Sequence, residues 1–98
     1  VTAGVGGIFV EALGDVSRRL PPFDETVAEQ MLRALRSAKV LEGLRGAPPV
    51  NIPAAASILA RVSEMATELD DQIAELDINP LIAGPEKSVA VDVRIRKT

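Results

Sequence analysis

Acids, an amide and guanidinium groups recur at every second position in two short stretches near the carboxyl end of the chain. Ile73, Glu75, Asp77 and Asn79 alternate with Ala74, Leu76 and Ile78. Further on, Ser88, Ala90, Asp92, Arg94 and Arg96 alternate with Val89, Val91, Val93 and Ile95. A period of two marks a β-strand, whose successive side chains point to opposite faces. If these strands pair as an antiparallel hairpin, turned by Ala83-Gly84-Pro85-Glu86-Lys87, the apolar faces bury together and the polar faces lie together. Asp77 and Asn79 then come near Asp92. A carboxylate oxygen from Asp92 and an amide oxygen from Asn79 are hard ligands suited to Mg²⁺, which commonly keeps one or two protein ligands and completes its octahedron with water and phosphate oxygens. Arg94 and Arg96 could meet the charge of such a phosphate. On spacing alone, the same alternation also describes the solvated face of a half-covered sheet.

Composition narrows the chemistry further. The 98 residues suffice for one domain with a modest core. They include no histidine and no cysteine, which removes the commonest general base, thiolate metal sites and disulfides, so chemistry falls to carboxylates, amides, arginines and backbone groups. A net charge of −3 argues against nucleic acid as a main partner. No apolar run reaches the roughly 20 residues that cross a bilayer, and the amino end lacks the basic and apolar regions of a signal peptide, so no membrane partner and a cytoplasmic setting are expected. The first residue is Val1, inside an apolar strand-like run, and a piece of a longer protein is the expectation.

The elements that would hold the polar strands follow from periodicity. Val5 to Leu13 and Val16 to Leu20 read as a hairpin turned at Gly14-Asp15. Pro21-Pro22 ends it. Asp24 caps a helix over 25–37, with Val27, Met31, Ala34 and Leu35 on one stripe. Leu41 to Pro49, broken by two glycines and two prolines, reads as an ordered loop. A second helix over 53–69, capped by Asn51 or Ile52, carries Ala55, Ile58, Leu59, Val62, Met65, Ala66 and Leu69 at helical spacing; Leu59 and Val62 are expected to be buried. The fold class is α+β, a mainly antiparallel sheet covered on one face by two helices.

These residues also carry a family resemblance. Glu75-Leu76-Asp77-Ile78-Asn79-Pro80-Leu81 followed by Val89-Ala90-Val91-Asp92-Val93-Arg94-Ile95 resembles the carboxy-terminal strands of the ATP-grasp domain in ADP-forming acetyl-CoA synthetases and their succinyl-CoA synthetase relatives. Gly4-Val5-Gly6-Gly7-Ile8-Phe9-Val10-Glu11, then Asp15-Val16-Ser17, Arg19-Leu20 and Pro22, resembles the strand pair opening that family's second ATP-grasp subdomain. Leu41-Glu42-Gly43-Leu44-Arg45-Gly46 resembles its connecting loop. The likeness covers nearly the whole chain, in order, and implies a single partial ATP-grasp carboxy-terminal subdomain.

By that resemblance Asn79 and Asp92 are the Mg²⁺ ligands. Pro80 would fix the backbone after the first of them, and Asp77 would support the metal through water. Gly6, Gly7 and Glu11 would lie near the ATP/ADP cleft; their alternative role is a strand with close backbone packing. Arg45, Arg94 and Arg96 fit either an active-site or a structural role. The implied partners are the nucleotide and the remaining ATP-grasp and CoA-binding domains or subunits, including the half of the nucleotide clamp that carries a lysine. Without a histidine to relay the phosphoryl group, the chain contributes no residue to that relay and would be inactive alone. Two other readings are open: a non-catalytic ligand-sensing or interaction module descended from the same fold, and a small helix-on-sheet domain with an exposed polar face.

Overall fold

Residues 1–6, 14–43, 46 and 48–98 are described in a computed structural model of the chain. The first ribbon pairs β1 (Thr2–Gly4) antiparallel with β2 (Val16–Arg18), placing Gly4 opposite Val16. The expected partner of Val16–Leu20 was Val5–Leu13, joined through a two-residue turn. The observed partner lies further back, at Thr2–Gly4. Residues 7–13, and with them Gly7 and Glu11, lie outside the described residues, as does Arg45. Gly14 does turn the chain, with φ +66°, a conformation that glycine adopts without steric cost.

Helix α1 (Glu25–Arg33) begins as expected, with Asp24 Oδ1 accepting the Val27 N–H at 2.9 Å. It ends four residues before the expected position 37. The cause lies 21 and 22 residues away in the chain: the Asp15 carboxylate accepts the backbone N–H groups of Arg36 and Ser37, each at 2.9 Å, and the Ser37 hydroxyl at 2.6 Å. Those amides are therefore not left for helical i→i−4 bonding. The chain restarts as a short helix, α2 (Ala38–Leu41), inside a stretch where no helix was expected beyond Ser37.

Helix α3 (Ile52–Glu68) matches its expected bounds to within one residue, and Asn51 is its cap, accepting the Ala54 N–H at 3.1 Å. The same residue ties the helix to the hairpin turn. Its backbone N–H donates to Gly84 O at 2.8 Å and its Nδ2 donates to Glu86 O at 2.9 Å. Helices α1 and α3 pack against each other through Ala28, Ala56 and Ala60, with Phe23, Leu32 and Leu59 around them. Ala56, Ala60 and Ser63 share a face at i, i+4 and i+7, and their small side chains let the two backbones approach. The large aliphatic stripe is rotated away from this contact. Leu59 and Val62 are half-buried rather than buried, and Met65 and Ala66 are exposed. Short side chains carry little hydrophobic signal in a sequence, so the face that makes the closest contact is the quieter one.

The last third is a single interrupted hairpin. Strands β3 (Ile73–Ile78) and β6 (Val93–Lys97) pair antiparallel, as do β4 (Leu81–Ala83) and β5 (Ser88–Ala90). The register is constant from Glu75 opposite Arg96 to Ala83 opposite Ser88. Asn79 N–H donates to Asp92 O and Val91 N–H donates to Pro80 O, both at 3.0 Å, across the gap between the two ribbons. The strict alternation expected from Ile73 fails at its start. The register shifts between Ile73 and Glu75, and Ile73 is half-buried along with Leu76 and Ile78. One extra residue in a bulge reverses the faces on either side of it.

The α+β class and the antiparallel pairing thus match expectation, while the described strands form separate two-stranded ribbons. The helices leave the final strands largely uncovered. Val91 is 63% exposed and Val93 47%, and Ile82, Val89 and Ile95 are exposed too. Val89, Val91, Val93 and Ile95 were expected against the helices. The two helices instead satisfy much of their apolar surface on each other.

Candidate metal and nucleotide site

Three polar cross-strand pairs follow one another at alternate positions of the hairpin. Glu75 faces Arg96, with Arg96 Nε 3.3 Å from Glu75 Oε2. Asp77 faces Arg94. Asn79, joined to Asp92 by the backbone bond described above, is that residue's register partner. Between them, Leu76 faces Ile95 and Ile78 faces Val93. The hairpin therefore brings Asp77, Asn79 and Asp92 together at adjacent positions, as the alternation requires. All three are exposed.

The donor set suits a small hard cation. Two carboxylates and an amide oxygen are available, and no described group combines three or more acidic, histidine or cysteine side chains into a cage. Mg²⁺ commonly keeps one or two protein ligands and fills the rest of its shell with water and phosphate oxygens, so oxygens at these positions are of a type it accepts.

A cleft of about 530 Å³ opens beside the hairpin. Leu76, Asp77 and Ile78 of β3 and the following Asn79 line it, with Gly4 of β1 and Gly6 beyond that strand, and aliphatic side chains such as Ile58 and Val62 of α3 make up most of the wall. Asp92 and Arg94 sit one strand further back. At Gly6 an added Cβ would meet nothing within 4 Å, so close packing does not explain this glycine. Gly4 is the one that packing requires: a Cβ there would lie 3.0 Å from Asp15 O and 3.1 Å from Val16 Cγ1. Asp15, which sequence reasoning treated as half of a turn, is a positioning residue. The Ser37 hydroxyl and the Arg36 amide hold its carboxyl below the ordinary value of 3.8. Its only sequence signal is a carboxylate beside a glycine, which is equally common in plain turns.

Comparison with known proteins identifies the family and the fold. An ATP-grasp domain family model matches residues 1–96. The β subunit of acetate–CoA ligase (ADP-forming) I from Pyrococcus furiosus is 46% identical over 95 residues, which cover 97% of this chain and 40% of that one. The 4-hydroxybutyrate–CoA ligase (ADP-forming) of Nitrosopumilus maritimus is 34% identical over 82 residues, covering 84% of this chain and 12% of that protein. Among solved structures, the dinucleotide-forming acetyl-coenzyme A synthetase 1 of Ca. Korarchaeum cryptofilum, in complex with coenzyme A and Mg-AMPPCP, superposes with a TM-score of 0.92 at 41% identity. The match covers 99% of this chain and 45% of that one. The chain spans less than half the length of each of these relatives. A family model over nearly every residue, a matching fold and the Asn79–Asp92 hairpin lead to one assignment: this chain belongs to the ATP-grasp domain family.

Proposed function

We propose that the chain is the magnesium- and nucleotide-binding part of an ADP-forming acyl-CoA synthetase, supporting phosphoryl transfer between ATP and the acyl-CoA-forming centre. The observation that carries this reading is the register of Asn79, which lines the cleft, against Asp92, in a chain similar to acetate–CoA ligases and to a synthetase solved with Mg-AMPPCP. Asn79 and Asp92 would hold Mg²⁺, and Asp77 would orient a water of its shell. The bound cation supplies neutralisation of phosphate charge during transfer. Gly6 leaves the cleft wall open for the close approach of a nucleotide.

The acyl group is selected elsewhere. Relatives that match this same stretch are named for acetate, 4-hydroxybutyrate and trans-feruloyl groups, so the shared segment serves the step they have in common. The partners are the remaining ATP-grasp and CoA-binding parts, and the exposed row of Ile82, Val89, Val91, Val93 and Ile95 offers them an apolar surface. Among the described residues no helix is long and apolar enough to cross a membrane, and a cytoplasmic setting fits the reading.

The test is ADP release coupled to acyl-CoA formation by the full-length protein. Asp92→Asn should lower turnover far more than it lowers the thermal midpoint, and Glu86→Gln in the hairpin turn should change neither. Wild-type turnover by Asp92→Asn would reject the assignment.

A further inference from the structure

Two arginines stand two residues apart on the polar side of the hairpin, and the alternation treats them alike. The structure separates them. Arg96 is engaged by its cross-strand neighbour Glu75 at 3.3 Å. Arg94 faces Asp77 and follows Asp92 by two residues, yet among the described residues its side chain makes no ion pair and no hydrogen bond. Resting on the reading that Asn79 and Asp92 hold Mg²⁺, we propose that Arg94, and not Arg96, is the residue of this hairpin that binds the nucleotide's outer phosphates.

Distance along the strand supports the choice. Successive positions on one side of a strand lie about 6.6–6.8 Å apart. Arg94 is one such step from the Asn79–Asp92 pair, within reach of a guanidinium on its flexible stem. Arg96 is two steps away and tethered. Charge points the same way. Asp77 and Asp92 with Arg94 leave the site one unit negative, which favours a divalent cation; once the cation is bound the sign reverses and the site attracts phosphate. Before that, Arg94 moderates the repulsion between the two carboxylates. A planar guanidinium can then grip two phosphate oxygens at once.

The experiment is equilibrium binding of ATP, ADP and AMP to the full-length protein at saturating Mg²⁺, for Arg94→Gln, Arg94→Lys, Arg96→Gln and Asp92→Asn. Arg94→Gln should weaken ATP binding about tenfold or more, the loss expected for one charge-assisted hydrogen bond, and leave AMP within about twofold. Arg94→Lys should recover part of the ATP affinity. Arg96→Gln should bind all three nucleotides like the wild type. The proposal is overturned if Arg94→Gln binds ATP normally, if AMP weakens equally, or if Arg96→Gln matches its loss. The metal reading has its own readout, the Mg²⁺ concentration needed for half-maximal ATP binding. If Asp92→Asn leaves that concentration unchanged while Arg94→Gln loses ATP, Arg94 stands as the phosphate contact and the metal assignment falls. If Asp92→Asn raises it while Arg94→Gln binds normally, the metal assignment stands and Arg94 falls.

Discussion

Ser63 is a small buried residue on which the helix pair depends. Its side chain is fully enclosed between α1 and α3, with a relative exposure of 0%. The hydroxyl accepts the Phe23 N–H at 3.1 Å and has Ala60 O at 2.6 Å and Phe23 O at 3.1 Å to share its single proton. It therefore joins the middle of α3 to the residue just before the cap of α1. Ser63→Ala removes this link and leaves the Phe23 amide without a partner. An unsatisfied buried group costs about 1–3 kcal/mol, and the better helix propensity of alanine returns about 0.5 kcal/mol. The net loss is then about 0.5–2.5 kcal/mol, which for a domain of this size lowers the thermal midpoint by about 2 °C or more. Circular dichroism melts of the wild type and variant provide the assay. An unchanged midpoint would show that water replaces the hydroxyl without cost, and the argument from burial would be wrong.

Two further outcomes follow from the same packing. Ala60→Leu forces a large side chain into the closest contact of the two helices and should destabilise the fold by about 1–3 kcal/mol, measured by urea unfolding; a neutral effect would contradict the close Ala28–Ala56–Ala60 packing. Asp15 has its folded pKa depressed by the Ser37 and Arg36 hydrogen bonds. Its contribution to stability is thus present above the unfolded value and disappears as pH falls through the folded one. Stability curves of wild type and Asp15→Asn should separate near neutral pH and converge in acid, and a constant difference across the range would refute the role given to its charge.

Much of this architecture is written in local patterns. The α3 boundaries follow from Asn51, Pro53 and a long periodic stripe, and the hairpin follows from two alternating runs around a Gly-Pro turn. What escaped local reading depends on partners far away in the chain. Helix α1 stops early because of Asp15, and the Ala56–Ala60–Ser63 face is chosen by Ala28 and Phe23. A single bulge residue at Ala74 re-phases the strand between Ile73 and Glu75, where two apolar residues, Ile73 and Ala74, stand in a row. For the site, Asp77, Asn79 and Asp92 could be grouped because strand periodicity puts them on one side. The difference between Arg94 and Arg96 could not be seen, since it rests on which of them Glu75 engages.

The central claim concerns a cation held by Asn79 and Asp92, and direct metal binding tests it without reliance on turnover. Mn²⁺ can stand in for Mg²⁺ and be followed by its own magnetic resonance signal in the full-length protein with ADP present. Wild-type protein should take up one tightly held ion per site, and Asn79→Ala and Asp92→Asn should each weaken that uptake by about tenfold or more while Glu75→Gln leaves it unchanged. Equal Mn²⁺ affinity in wild type, Asn79→Ala and Asp92→Asn would contradict the account.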